Sequence, residues 1–338
     1  MMIKDAIVKL VERQALTESE AEAVMHEIME GKVTQAQIGA YLTALRMKGE
    51  TVEEITGSAR AMREKATRIR VNDPMVVDTC GTGGDGAATF NVSTTTAFVV
   101  AGAGITVAKH GNRAVSSRSG SADVLKCLGV RVDLPPEQVE ECVNEIGIGF
   151  LFAPLFHGAM KHVMGPRQEL GVRTIFNLLG PLTNPAGAAI QILGVYDEGL
   201  TETLAKVLMR LGSRHCYVVH GLDGLDEITL TDRTRVSEGK GGRITNYFVE
   251  PQDFGFARAR LKDLAGGDGE ENARIIRDIL GGREGPRQNL VLVNSAPALV
   301  ACGKAATLPD GVKLAQEVIR SGAAMEKLDS LVSWTNKP

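Results

Sequence analysis

The sequence predicts an α/β protein: a small all-helical N-terminal domain, then a larger α/β domain with a central, mostly parallel sheet flanked by helices. Residues 1–70 carry helix signals and no strand signal. From residue 75 onward, short β-branched runs such as "MVVD", "ITVAKH", "IQILGVY" and "CYVVHG" alternate with helical stretches. This alternation is typical of parallel strands joined by crossover helices. At 338 residues the chain also exceeds the length that one hydrophobic core usually serves, so two domains are expected.

The helical domain is predicted from capping boxes. Three T-x-x-E/Q boxes precede segments with apolar residues at helical spacing, and they are formed by Thr17 and Glu20, Thr34 and Gln37, and Thr51 and Glu54. We therefore expect residues 1–70 to form this domain and residues 71–338 to form the α/β domain. The segment 157–187 is rich in Gly and Pro and interrupts the strand–helix rhythm, so we expect it to join the N-terminal helices.

The end of the α/β domain has its own signals. "EITLTDRTRVSEGKGGRITNYFV" predicts strands joined by a Gly-rich turn, and "PDGVKLAQEVIRSGAAMEKLDSLVSW" predicts closing helices.

Composition limits the class of partner. The net charge of −3 gives no sequence-wide basic field, so we expect no nucleic-acid footprint and a small anionic ligand instead. The 5 cysteines are scattered without a C-x-x-C pair, which argues against a disulfide framework or a zinc site. No signal-peptide core or membrane-span run is present. We expect a soluble protein of the reducing cytoplasm.

The stretch "VVDTCGTGGDGAATFNVST" contains glycines at the spacing G-x-G-x-x-G, at Gly81, Gly83 and Gly86. A dinucleotide loop needs its last glycine at a helix start and an acidic residue about 20 residues further on, and neither is found here. The alternative is a longer loop whose N–H groups face one anion, followed by a helix starting near Ser93. The sequence thus predicts a phosphate or pyrophosphate cradle.

Two further loops follow predicted strands. "AKHGNRAVSSRSGSAD" supplies Lys109, His110 and Arg113 before a serine-rich helix start, which suits a polyphosphate. "VVHGLDGLDEITL" places three acidic residues, Asp223, Asp226 and Glu227, in a Gly-rich turn. Bare carboxylates repel a pyrophosphate, so a bridging Mg²⁺ is the physical reason for them. Taken alone, each loop also fits an ordinary polar surface turn. Because ligands gather at the carboxyl ends of parallel strands, we expect the three loops to form one site.

With these residues the chain resembles the anthranilate phosphoribosyltransferase family. The motifs "GTGGDG…TFNVST", "VAKHGNR…SS..GSAD", "FAP..H.AMK…R..LG.RT.FNLLGPLTNPA" and "VVHG.DGLDE" occur in the family's order through nearly the whole chain. The resemblance implies transfer of the phosphoribosyl group from phosphoribosyl pyrophosphate to the amine of anthranilate, in tryptophan biosynthesis. It also implies Mg²⁺ as the cofactor and a homodimer formed through the helical domain.

The resemblance implies a role for particular residues. The phosphoribosyl pyrophosphate contacts would be Gly81, Gly84, Asp85, Thr89, Asn91, Val92, Ser93, Thr94, Lys109, His110, Gly111, Asn112, Arg113, Ala114, Val115, Ser116, Ser117 and Ser121. The anthranilate contacts would be Gly81, His110, Asn112, His157, Arg167 and Pro181. The metal ligands would be Ser93, Asp226 and Glu227, and the catalytic groups Lys109, Asp226 and Glu227. Where the family usually has proline, this chain has Gly158, which should loosen the turn beside His157.

Two other functions fit parts of this pattern. A pyrimidine nucleoside phosphorylase shares the helical-plus-α/β architecture, but it does not need an Asp–Glu metal pair. A non-catalytic relative that binds nucleic acid or another anion should show a basic surface and eroded motifs.

Overall fold

The strands of the protein form one mixed sheet. In the computed structural model, which describes residues 2–84, 86, 89–114 and 118–337, the described strands are seven in the order β3-β2-β1-β4-β5-β6-β7. Their bounds are β1 Val77–Gly81, β2 Val107–Gly111, β3 Ile148–Phe152, β4 Ile190–Gly194, β5 His215–Gly221, β6 Thr234–Lys240 and β7 Arg243–Val249. The first five pair in parallel, and β5, β6 and β7 pair antiparallel. The predicted fold class is confirmed.

The helices of the N-terminal region are α1 Ile3–Val11, α2 Glu18–Met29, α3 Gln35–Lys48 and α4 Val52–Lys65. The helices between the parallel strands are α5 Val92–Gly102, α6 Ser121–Cys127, α7 Pro136–Ile146, α8 Ala153–Phe156, α9 Lys161–Leu170, α10 Phe176–Leu182 and α11 Leu200–Arg210. Those at the C-terminal end are α12 Gly269–Leu280, α13 Pro286–Ala301, α14 Leu308–Arg320 and α15 Ala323–Thr335.

The capping boxes begin helices where the sequence predicts them. Thr17, Thr34 and Thr51 each accept a hydrogen bond from the backbone three residues later, and the residue at that position bonds back to the cap. Each box therefore satisfies two amides that a helix start leaves without a partner. Helix α1 precedes these three and lacks such a threonine, with Met2 at its N-cap.

Two hydrophobic clusters fill the interior. One packs the helices around α5 and α12–α15 against one part of the sheet, with Phe98 and Leu151 among its buried residues. The other joins α1–α4 to side chains of the 157–187 segment, such as Val163 and Leu179, and continues to Val218 of the sheet. Because this second cluster continues into the sheet, the packing does not separate a helical domain from an α/β domain. The predicted domain boundary between residues 70 and 71 stays a prediction.

One strand lies outside the sequence prediction. Strand β3, "IGFLF", is buried along its whole length, and a short apolar run of this kind does not show whether it is strand or helix. The late hairpin β6–β7 and the closing helices α14 and α15 form as predicted. None of the helices in the described ranges has the length and apolarity that a bilayer crossing requires.

Candidate active site

The candidate site lies at the carboxyl edge of the parallel strands. Strand β1 pairs with β2 on one side and with β4 on the other, so connections leave β1 and β4 in opposite directions. Such a switch point opens a crevice beyond the strand ends. Gly81, Gly111 and Gly221 end β1, β2 and β5. The three loops predicted to form one site therefore begin at the same edge.

Asp226 touches the glycine loop directly. Its Oδ2 accepts a hydrogen bond from the Gly83 N–H at 2.9 Å. A Cβ on Gly81 would lie 2.5 Å from Oδ2 of Asp226, and one on Gly194 would lie 1.5 Å from the Asp226 carbonyl oxygen. These glycines end β1 and β4, and they are needed because the loop after β5 passes directly against both strand ends.

Lys109, near the end of β2, reaches from that strand to β1. It is 4% exposed, and its Nζ donates to the Thr79 carbonyl and, at 3.3 Å, to Oγ of Ser93. Burial lowers the pKa of Lys109, while the charges of Asp78 and Glu227 oppose that shift. The structure thus brings Ser93 into contact with Lys109 and places Glu227 where its charge acts on Lys109, while their roles towards a pyrophosphate stay predictions.

A buried carboxylate that the sequence analysis did not single out supports this strand end. Asp78 is fully buried, and its oxygens accept from the His110 N–H at 3.1 Å and from Nδ2 of Asn184 at 2.7 Å. Burial raises the pKa of Asp78 to about 6, with the Lys109 charge acting against the shift. Asp78 lies in "VVDTCG" and Asn184 in "LTNPAG", but nothing in the sequence indicates that the two side chains meet.

His110 and His157 form a pair of buried imidazoles. Their ring centroids are 5.1 Å apart. Burial lowers the pKa of His110 to about 3 and that of His157 to about 4, although backbone hydrogen bonds to Gly180 and Thr183 oppose the shifts. Among the described atoms, Nε2 of each ring has no hydrogen-bond partner. Both rings are therefore neutral near pH 7, and each keeps an acceptor nitrogen.

Arg167 is half-buried on α9 with its guanidinium 5.4 Å from the centre of the Phe176 ring on α10. Burial lowers its pKa, and no described carboxylate forms an ion pair with it. The carbonyl of Pro181, also on α10, accepts from Nε2 of Gln191 at 2.8 Å. Since α10 also carries Gly180, this helix links Arg167 to the histidine pair.

The described residues of the loop between β2 and α6 are held by backbone and side-chain hydrogen bonds. The Asn112 carbonyl accepts from the Ala122 N–H and from Oγ of Ser121, and the Ala114 N–H donates to Asp123 at 2.9 Å. A Cβ on Gly111 would lie 2.2 Å from the Ser121 Oγ. The guanidinium of Arg113 lies 5.7 Å from the centre of the Phe152 ring.

The other predicted residues that the structure describes lie on the glycine loop and the first turn of α5. Asn91 is the N-cap of α5, whose first turn holds Val92, Ser93 and Thr94. Thr89 forms an isolated antiparallel bridge with Ala265. The predicted contacts Asp85, Val115, Ser116 and Ser117 lie outside the described residues.

Arg173 is a further residue that the sequence analysis did not single out. Its guanidinium donates to the Gly84 carbonyl and lies 4.0 Å from the centre of the Tyr196 ring. It lies in "LGVRTIFN", and its partner could not be read from that motif because the glycine loop is distant in sequence.

Another group of possible metal ligands occurs elsewhere among the described residues. The ligand atoms of Glu22, His26 and Glu64 lie within 4.8 Å of one another. They belong to α2 and α4 and are remote in sequence from the predicted ligands Ser93, Asp226 and Glu227. No second feature of the structure points to a metal there.

Comparison with known proteins assigns both parts of the chain to a family. Residues 4–66 match the glycosyl transferase family helical bundle domain, and residues 73–325 match the glycosyl transferase family a/b domain. The chain is 58% identical to the anthranilate phosphoribosyltransferase of Moorella thermoacetica over 333 residues, covering 98% of each chain. It is 59% identical to that of Desulfosudis oleivorans over 335 residues, covering 99% of each chain.

Solved structures agree with this assignment. The anthranilate phosphoribosyltransferase of Thermus thermophilus superposes with a TM-score of 0.93 at 46% identity, covering 98% of this chain and 100% of that one. That of Saccharomyces cerevisiae, in complex with phosphoribosyl pyrophosphate and Mg, gives a TM-score of 0.90 at 29% identity, covering 98% and 97%.

Proposed function

The chain belongs to the anthranilate phosphoribosyltransferase family, and from this premise we propose that it transfers the phosphoribosyl group of phosphoribosyl pyrophosphate to the amine of anthranilate. The products are N-(5′-phosphoribosyl)anthranilate and pyrophosphate. The observation that carries the proposal is the contact of Asp226 with the glycine loop, at the sheet edge near which β2 carries the buried Lys109. This site combines donors for a polyphosphate with carboxylates that a polyphosphate alone would not tolerate.

In the proposed complex, the pyrophosphate lies against the glycine loop and the first turn of α5, where N–H groups and the helix dipole favour negative charge. Two of the donor positions of the Lys109 ammonium are taken by Thr79 and Ser93, which fixes its charge beneath that turn. As the bond between the anomeric carbon and the pyrophosphate breaks, this charge stabilises the departing oxygen.

Residues at this edge of the sheet also fit a magnesium ion. Ser93, Asp226 and Glu227 offer a hydroxyl and two carboxylates, which are the hard oxygen donors that Mg²⁺ prefers. Asp226 reaches the glycine loop, and the charge of Glu227 acts on Lys109. We propose that these three residues hold Mg²⁺, which when bound would offset the negative charge of the pyrophosphate.

Anthranilate is assigned to the side of α9 and α10. Arg167 has no described carboxylate partner, so its guanidinium can pair with the carboxylate of anthranilate. Gly81, Asn112, Pro181 and the neutral histidines complete the predicted contacts. An aromatic amine is neutral near pH 7, so its nitrogen can attack the anomeric carbon without prior deprotonation, and we assign no general base.

A homodimer is proposed through the helical domain. Helices α1 and α3 border an open groove of about 350 Å³, whose lining includes Leu10, Ala40 and Ala44. Val11 and Met47, on the same groove, are 70% and 69% exposed. Apolar side chains this exposed are typical of a protein interface, and the implied occupant is a second copy of this chain.

A cytoplasmic location is proposed because all five cysteines are free.

Product analysis tests the reaction. The purified protein is incubated with anthranilate, phosphoribosyl pyrophosphate and Mg²⁺, and mass spectrometry follows the ribosylated product. A parallel incubation supplies a pyrimidine nucleoside and phosphate. We expect product only from the first pair. Cleavage of the nucleoside instead would establish the phosphorylase alternative.

A further inference from the structure

The segment 265–268, between β7 and α12, packs directly on the end of the glycine loop. Ala265 pairs with Thr89, and the guanidinium of Arg287 donates to the Ala265 carbonyl at 2.6 Å. A Cβ on Gly266 would lie 2.5 Å from the backbone nitrogen of Phe90. Only glycine permits so close an approach. The segment 265–268 therefore packs against the backbone of Phe90 and holds that backbone in place.

Asn272, on the first turns of α12, links this segment to the glycine loop and, through Asn91, to the loop between β2 and α6. It is 1% exposed. Its Oδ1 accepts from the Gly267 N–H at 2.8 Å, so its Nδ2 faces the other way and donates to Oδ1 of Asn91 at 3.0 Å. Asn91 in turn donates from Nδ2 to the Ser119 carbonyl at 3.0 Å. The amide orientations of both asparagines are therefore set by a single chain of hydrogen bonds.

The hydrogen bond to Asn272 keeps the Asn91 side chain from capping helix α5. An asparagine at the N-cap of a helix ordinarily accepts from an N–H group of the first turn through its Oδ1. Asn91 is the N-cap of α5, yet its side chain makes no capping hydrogen bond. Its Oδ1 is engaged by Asn272 instead. The first-turn amides of α5 are thus not covered by the side chain best placed to cover them.

We propose that Asn272 is a positioning residue for phosphoribosyl pyrophosphate: it draws the Asn91 side chain away from the α5 N-terminus and so leaves those amides to the pyrophosphate. The inference rests on the proposed function for the identity of the anion. Without Asn272, Asn91 is free to cap α5 and compete with the ligand. Asn272 then acts only through Asn91 and touches no substrate.

A double-mutant cycle tests this coupling. Four proteins, wild type, Asn272→Ala, Asn91→Ala and the double variant, are titrated calorimetrically with phosphoribosyl pyrophosphate and Mg²⁺, and their KM values for both substrates are measured. We expect Asn272→Ala to weaken phosphoribosyl pyrophosphate binding about tenfold. Once Asn91 caps α5, the ligand loses one hydrogen bond from an α5 amide to a charged group, and this is the usual scale of such a loss. In the Asn91→Ala background, the same change should alter binding less than about twofold. The KM for anthranilate should stay unchanged.

Two controls separate coupling from loss of structure. Thr335→Val removes another buried tie, the hydrogen bond to the Arg131 N–H at 3.2 Å, and should leave binding unchanged. Asn272→Ser, which is too short to reach Asn91 but keeps a polar side chain, should behave as Asn272→Ala does. Equal weakening in both Asn91 backgrounds, or none in either, would overturn the inference. If the wild type binds without transferring the group, the proposed function fails while the binding cycle still decides this inference.

Discussion

His110 and His157 show how burial, as the largest effect, sets the protonation state of two predicted site residues. Their pKa values are lowered to about 3 and about 4, so the folded protein binds fewer protons at these rings than the unfolded chain does at mildly acidic pH. Their contribution to stability is complete above about pH 6.5 and is lost as the pH falls through about 4. Asp78 acts in the opposite direction, because its pKa is raised to about 6 and its contribution declines as the pH rises towards that value.

Replacing one of these histidines should therefore change how the free energy of unfolding depends on pH at acidic pH. His157→Asn removes one titrating ring, so we expect the slope of unfolding free energy against pH, between about pH 4 and 6.5, to fall by about 1.4 kcal/mol per unit. Denaturant titrations across this range measure the slope. His26→Asn, on the partly exposed surface of α2, is the matched control. The same slope in wild type and His157→Asn would contradict the burial argument.

At the scale of residues, the sequence is informative where charge and glycine spacing coincide. Lys109, Asp226 and Glu227 were predicted from strand-end loops, and the structure brings them to one edge. Asp78 and Asn272 were missed because each acts through a partner more than a hundred residues away in sequence or on another loop. A single sequence records the residue types but not such pairings.

At the scale of elements, β4 matters to the site through the residue that ends it. Gly194 leaves room for the backbone of Asp226, and a Cβ there would lie 1.5 Å from the Asp226 carbonyl oxygen. The loop after β5 can take its position only because this strand ends in glycine. The capping boxes of α2–α4 were readable from sequence because they are local, whereas this contact joins the end of β4 to a loop more than 30 residues later and was not.

Gly194→Ala should consequently displace the Asp226 loop. We expect kcat/KM for the transfer to fall at least about a hundredfold, because displacements near 1 Å in an active site cost about that much. Gly158→Ala is the control, since a Cβ on Gly158 would meet no atom within 4 Å. Steady-state kinetics with thermal melts measures both variants. Full activity in Gly194→Ala would show that the loop position is unimportant.

At the scale of the whole molecule, the helical region and the sheet share one apolar cluster, while the groove of α1 and α3 faces outward. If that groove is the subunit interface, a charge placed in it should separate the subunits. We expect Val11→Glu to reduce the mass in solution to that of one 36.0 kDa chain, as measured by light scattering after size exclusion. Leu261→Glu, 47% exposed on the α/β region, should remain dimeric. Two dimeric variants would exclude this interface.

The proposed function depends most on the proposed metal-binding role of the loop after β5, and two aspartates of that loop test it directly. Asp226 reaches the glycine loop, whereas Asp223 accepts from Leu225 at 3.2 Å and from Thr229 at 2.6 Å within its own turn. The measurement follows the loss of anthranilate fluorescence on mixing with phosphoribosyl pyrophosphate, with Mg²⁺ or with a chelator. We predict that Asp226→Asn loses the Mg²⁺-dependent rate at least about a hundredfold, while Asp223→Asn keeps it. A wild-type Mg²⁺-dependent rate in Asp226→Asn would contradict the account.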